Sequence, residues 1–247
     1  MSPARQRQYL RHLSYYLHRK LMKALLARKL KRSLVYVQRH TNAIRTIYDI
    51  GARHGEWSAG IKASFPEADF ILFEANEKCR PQLTASGFKF VISALSAQSG
   101  TARFYDNNSS GDSLFKEATR HYENVEPRIV TTRTLDEVVA SHKLAYPDLI
   151  KLDTQGAELD ILAGGATCLS HAKAVYMECP IIDCNEGAPN IGAYLDAMKR
   201  ADFVPFDVCE VHRAADVLMQ IDILFIRPAL LAQINPEAMT KFGWQGR

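Results

Sequence analysis

Residues 47–57 read I-Y-D-I-G-A-R-H-G-E-W: an apolar run, a turn with two glycines and the start of a helix. A second apolar run, 70–73, ends in Glu74, twenty-three residues after Gly51. Together these describe a nucleoside pocket. Glycine lets backbone approach a ligand where a Cβ would clash. An acid at the tip of the next strand can accept hydrogen bonds from two ribose hydroxyls. The spacing Asp49-x-Gly51-x-x-x-Gly55 is not the G-x-G-x-x-G of dinucleotide sites, so a nicotinamide cofactor is disfavoured. A single adenosyl ligand fits better, and S-adenosylmethionine is the expected one.

From Ile44 onward, apolar strands alternate with helical segments. Strands are predicted at 47–50, 70–73, 88–92, 148–152, 174–177, 203–208 and 221–226, with helices at 56–64, 78–86, 134–141, 157–169 and 191–200. Gly87 stops the second helix, and Thr134 with Glu137 forms a capping box for the third. Two further strands, 101–105 and 128–132, flank a polar loop at 107–113 and read as a small insertion. Little helical pattern separates the last two strands, which suits an antiparallel closing pair. The expected fold is α/β: a Rossmann-like, doubly wound, mainly parallel sheet covered on both faces. Ligands of such sheets sit at the carboxyl ends of the strands. Asp49, Glu74, Asp153 and Glu178 all fall at or near predicted strand ends, so they are expected to share one crevice.

The net charge of +4 conceals a split. Residues 1–45 hold 12 Lys or Arg and no acid, whereas the remainder holds 19 basic residues against 27 acidic ones. Leu10, Leu13, Leu17, Leu21 and Leu25 recur at helical spacing within the basic part. The chain therefore divides into a basic amphipathic segment, 1–43, and a catalytic-type domain, 44–247. The segment either packs on the domain or lies on an anionic membrane surface; nucleic acid is the weaker reading. Five scattered cysteines without a C-x-x-C argue against zinc or a disulfide framework, and point to a cytoplasmic protein, peripheral at most to the inner membrane face.

The segments Y-D-I-G-A-R-H-G, I-L-F-E-A-N, S-A-L-S with Gly100, T-L-D-E-V-V and L-I-K-L-D-T-Q-G-A-E-L-D-I-L-A-G-G together resemble the FkbM-type methyltransferases, a class I S-adenosylmethionine-dependent group. The matches span about residues 45–227. The resemblance implies a seven-stranded sheet with its last strand antiparallel. It also implies O-methylation of a hydroxyl on a sugar, glycolipid or polyketide-like acceptor. On this basis Asp49, Gly51, Ala52, Arg53, Gly55, Glu74, Ala75, Asn76, Ala94, Leu95 and Asp153 are the expected cofactor contacts. Two departures stand out. Arg53-His54 replaces the usual Asn and small residue, and Thr154-Gln155 replaces Val-Glu, which removes a carboxylate.

Methyl transfer from a sulfonium is an in-line displacement in which positioning and water exclusion contribute much of the catalysis. An alcohol acceptor also needs a base. Asp153 is the first candidate for that base or its orienter, and Glu178 the second. The two carboxylates could instead hold Mg²⁺, or merely cap backbone and pair with Lys151 or Arg133. A catalytically impaired, membrane-tethered binding module is the alternative to an enzyme, and a nicotinamide oxidoreductase is a weaker third.

Overall fold

A computed structural model describes residues 32–234. Residues 1–31, which include the expected amphipathic helix, and 235–247 lie outside the described part. Ten strands are described: β1 (Thr46–Ile50), β2 (Asp69–Glu74), β3 (Lys89–Ile92), β4 (Ala94–Leu95), β5 (Gly100–Phe104), β6 (Arg128–Arg133), β7 (Leu149–Leu152), β8 (Ala174–Pro180), β9 (Val204–Ala214) and β10 (Val217–Ile226). Helix α1 covers residues 32–41. It is followed by α2 (Glu56–Ile61), α3 (Arg80–Ser86), α4 (Leu135–His142), α5 (Glu158–Ala163), α6 (Ala166–His171), α7 (Ile191–Arg200) and α8 (Pro228–Ile234).

Seven strands form one sheet in the order β3-β2-β1-β7-β8-β10-β9. All neighbours are parallel except β10, which runs antiparallel to both β8 and β9. The order reverses at β1, which places a crevice over the carboxyl ends of β1, β2 and β7. Apolar strands are buried on both faces. Tyr48, Ile50, Ile150 and Val175 pack on one face under α4, α5 and α7. Ile47, Leu72, Leu149 and Leu224 pack on the other with Ile61 and Phe65. Leu34 and Val37 of α1, both fully buried, join this second face. Among the described residues no helix is long and apolar enough to cross a membrane.

The small insertion is a separate three-stranded sheet, β4-β6-β5. Its two-residue strand β4 has no period of its own and exists because Ala94 and Leu95 pair with Thr132 and Arg133.

Three boundaries depart from the sequence reading. The helix expected over 157–169 breaks into α5 and α6 at Gly164-Gly165. A Cβ on Gly164 would lie 2.3 Å from the Ser96 carbonyl oxygen, so this glycine permits close packing on that loop. The Asp136 carboxylate then accepts the backbone N–H groups of Thr167 and Cys168 and starts a new helix. Strand β8 runs past 177 because β10 supplies pairing partners as far as Pro180. Glu178 is therefore inside a strand and not at its tip. The closing hairpin likewise takes up almost the whole interval between the two predicted strands, leaving a turn at 215–216.

Candidate active site

The glycine turn is fixed by backbone before any ligand is considered. The N–H groups of Gly51 and Ala52 both donate to the Phe73 carbonyl, at 3.0 and 3.1 Å. Gly51 has φ +74°, and a Cβ there would lie 1.9 Å from the Asp153 carbonyl oxygen. Its glycine is thus required by the neighbouring strand end. Arg53, at φ 50°, continues the turn in left-handed conformation, and Gly55, at φ 84°, starts α2.

Glu74 closes the turn onto β2. One carboxylate oxygen accepts the Arg53 N–H at 2.7 Å and the other accepts the Asn76 N–H at 2.8 Å. Each oxygen keeps a second lone pair for a ligand hydroxyl. Burial pushes the Glu74 carboxyl up from the usual range, and the two backbone donors pull against it.

Asp49 lies beneath the turn. It is fully buried, accepts a 2.7 Å hydrogen bond from Ser58 and pairs with the Lys151 ammonium at 3.0 Å. Lys151 also stands 3.5 Å from Asp153 and donates to the Gly51 carbonyl at 3.0 Å. Burial works against the ammonium, but Asp49 and then Asp153 outweigh it and hold Lys151 above the ordinary lysine range.

The loop after β7 hangs on Glu158, which is 1% exposed. One of its oxygens accepts from the Thr154 backbone, and the other from the Gly156 N–H and the Tyr194 hydroxyl. That grip holds Gln155 at φ 56°. The Gln155 side-chain nitrogen then donates to Glu178 at 2.6 Å and to Asp153 at 3.1 Å. Two carboxylate acceptors require a donor between them, which fixes the orientation of the amide. The amide thus stands between Asp153 and Glu178. Glu178 is also held by Gln220. Burial, and then the charges of Asp153, Asp222 and Glu158, raise its carboxyl well above the usual range.

These elements surround a cavity of about 310 Å³, within the size range of small-molecule sites. Gly51, Arg53, Glu74, Ala75, Asn76, Ala94, Leu95 and Asp153 all line it. Three expected contacts do not reach it. Asp49 is turned into its ion pair, Ala52 packs into the core, and Gly55 lies against Leu72. Glu178 stands behind Gln155 and meets a second, smaller pocket. His54 also lines the main cavity.

Sequence reading did not single out Asp112, Glu158, Tyr194 or the bridging role of Gln155. Asp112 organises the polar 107–113 loop by accepting from the Asn107 and Ser109 backbones and from the Tyr122 hydroxyl. Its other oxygen meets Asn76 at 3.1 Å, and Ser113 donates to the Thr154 and Gln155 carbonyls. The loop is thereby tied to both sides of the crevice and forms part of its wall.

Comparison with known proteins bears on the reaction class. Residues 49–205 match the model of the Methyltransferase FkbM domain. A curated relative, the 2-O-methyltransferase NoeI of Sinorhizobium fredii (strain NBRC 101917 / NGR234), is 27% identical over 176 residues, covering 64% of this chain and 72% of its own. Among solved structures, magnesium protoporphyrin IX methyltransferase from Synechocystis PCC 6803 aligns over 85% of this chain and 79% of its own, at 10% identity and a TM-score of 0.48. TrmK of M. capricolum aligns over 78% and 67%, at 10% identity and a TM-score of 0.43. With the family match spanning well over half of its length, the chain belongs to the FkbM methyltransferase family.

Proposed function

We propose that this enzyme transfers the methyl group of S-adenosylmethionine to a hydroxyl of a sugar, glycolipid or polyketide-like acceptor. The observation that carries the reading is the cavity itself. It joins a glycine turn and a buried acid of nucleoside-site type to a carboxylate, Asp153, at the carboxyl end of β7. The 2-O-methyltransferase activity in the name of the NoeI relative supports a hydroxyl acceptor.

The cofactor supplies a methyl already activated on a sulfonium. Glu74 accepts hydrogen bonds from the ribose hydroxyls through its remaining lone pairs. Ala94 and Leu95, apolar residues of the cavity lining, receive the adenine. Asp153, whose side chain is 43% exposed, takes the hydroxyl proton of the acceptor. Gln155 and Lys151 hold that carboxylate in place from two sides. The 107–113 loop, anchored through Asp112 and Ser113, limits water access to the reacting atoms.

Calorimetry with S-adenosylmethionine and S-adenosylhomocysteine is the first test, followed by transfer of labelled methyl to a panel of sugars and lipid-linked glycans. Binding of neither ligand would reject the proposal. Binding of both, with label appearing on a hydroxyl, is the expected result.

A further inference from the structure

A second polar cluster lies on the last three strands of the sheet and lines no part of the main cavity. Glu178 on β8 is paired in register with Asp222 on β10, and His212 on β9 with Gln220. One donor atom from each of Glu178, His212 and Asp222 lies within 4.8 Å of the other two.

Two of these groups are incompletely satisfied. His212 Nε2 and Asp222 Oδ1 are both buried and form a long ion pair at 3.4 Å, with Nε2 also 3.5 Å from Glu210, but neither atom makes a regular hydrogen bond among the described residues. Asp222 is only 7% exposed, and its other oxygen accepts from the Tyr176 hydroxyl. Folded proteins seldom leave a buried carboxylate oxygen without a hydrogen bond, and a bound ion is one established reason. The charge balance points the same way. Asp153, Glu178, Glu210 and Asp222 crowd this edge, while Lys151 is turned to Asp49 and Asp153.

We propose that Glu178, His212 and Asp222 bind a divalent transition-metal ion of the zinc or manganese class. One imidazole with two carboxylates is a donor set that suits these ions better than Mg²⁺ or Ca²⁺. Ligands at about 2.0–2.2 Å from tetrahedral zinc stand about 3.4 Å apart, the separation that His212 and Asp222 already have. Tyr176 orients the Asp222 carboxylate, and Gln155 and Gln220 orient that of Glu178, in the manner of the outer partners of metal ligands. The ion ties the β9–β10 hairpin to β8. Through Glu178 it also steadies Gln155 at the edge of the main cavity. The site stands whatever the methyl acceptor is.

The full chain, stripped with chelator, is titrated with Zn²⁺, Mn²⁺ and Mg²⁺ by calorimetry, and Co²⁺ is added as a spectroscopic probe. Wild type is expected to bind one equivalent of Zn²⁺ far more tightly than Mg²⁺. His212→Ala, at a partly exposed position, is expected to weaken Zn²⁺ by about 100-fold or more, beyond the usual cost of losing an outer partner. Circular dichroism of that variant shows whether it is folded, and His212→Gln provides a second, milder probe. Co²⁺ is expected to give d–d absorption without a thiolate charge-transfer band, which separates this site from the cysteines. Absence of stoichiometric Zn²⁺ binding by wild type would overturn the proposal and leave an Asp222–His212 ion pair only. So would unaltered binding by both folded variants, a thiolate band, or Mg²⁺ binding as tight as Zn²⁺.

Discussion

The side-chain nitrogen of Gln155 stands 2.6 Å from a carboxylate oxygen of Glu178, and the same nitrogen donates to Asp153 at 3.1 Å. A neutral donor thus separates two acids that would otherwise face each other. Gln155→Glu changes it to a third carboxylate. We expect a loss of about 1–3 kcal/mol in stability, from a broken charge-assisted pair and added repulsion, and a fall in turnover larger than the fall in cofactor affinity. Thermal unfolding and methyl-transfer kinetics of the variant check both.

The Asp49–Lys151 pair is sealed from solvent, with side chains 0% and 3% exposed. Removing one partner of a buried pair strands the other charge. Lys151→Met is therefore expected to cost about 3–5 kcal/mol, and adding Asp49→Asn to recover a good part of it. Denaturant melts of the two single variants and the double variant measure the coupling. Strictly additive losses would show that the pair is not a unit.

Glu74 gives a pH dependence with a definite sign. Burial raises its folded pKa above the ordinary 4.5, so the folded chain holds this proton more tightly than the unfolded one. Its contribution to stability is full below 4.5 and declines as pH rises through the raised value. Cofactor affinity runs the opposite way, because the ribose hydroxyls need the carboxylate. Affinity is expected to fall on acidification at a higher pH than an ordinary glutamate would give, and Glu74→Gln should flatten that step. Glu74→Ala should cost about 1–3 kcal/mol of cofactor binding at neutral pH. Calorimetric titrations across about pH 4 to 8, an interval that spans the unperturbed Glu and His values, test all three statements.

Asp153→Asn keeps the shape and the side-chain oxygen but removes the basic group. Turnover is expected to fall by roughly 10²-fold or more, the scale of lost general-base help, with cofactor affinity changed by less than about tenfold. Labelled-methyl kinetics beside calorimetry distinguish this from a role in cofactor binding, which would reduce both together.

Local pattern was enough for the main sheet. Strands β1, β2, β3, β7 and β8 are each an apolar run with its own turn signals. Gly87 at φ 75° and Thr134 accepting from Glu137 end and begin helices where their chemistry predicts. Glu74, Asp153 and the Ala94-Leu95 pair reach one cavity because strand ends in such sheets converge, and a strand end is legible from sequence. What sequence could not supply was pairing across long separations. Strand β4 exists only against β6, and β8 lengthens only because β10 lies beside it. The break between α5 and α6 depends on Asp136, some thirty residues away, capping a second helix start. The same holds for the site. Asp49 sits near a strand end like its neighbours, but it pairs with the buried Lys151 on the adjacent strand and does not line the cavity. Glu158 looks like one more helix acid until Tyr194 and the 154–156 backbone close around it. Sequence by itself determined most of the main-sheet strands and the helix starts and stops with clear caps, because those follow from periodicity and turn chemistry within a few residues. Only the tertiary structure decided which of those polar groups face the cavity and which neutralise one another beneath it, because a buried charge takes its role from partners that sequence distance does not reveal.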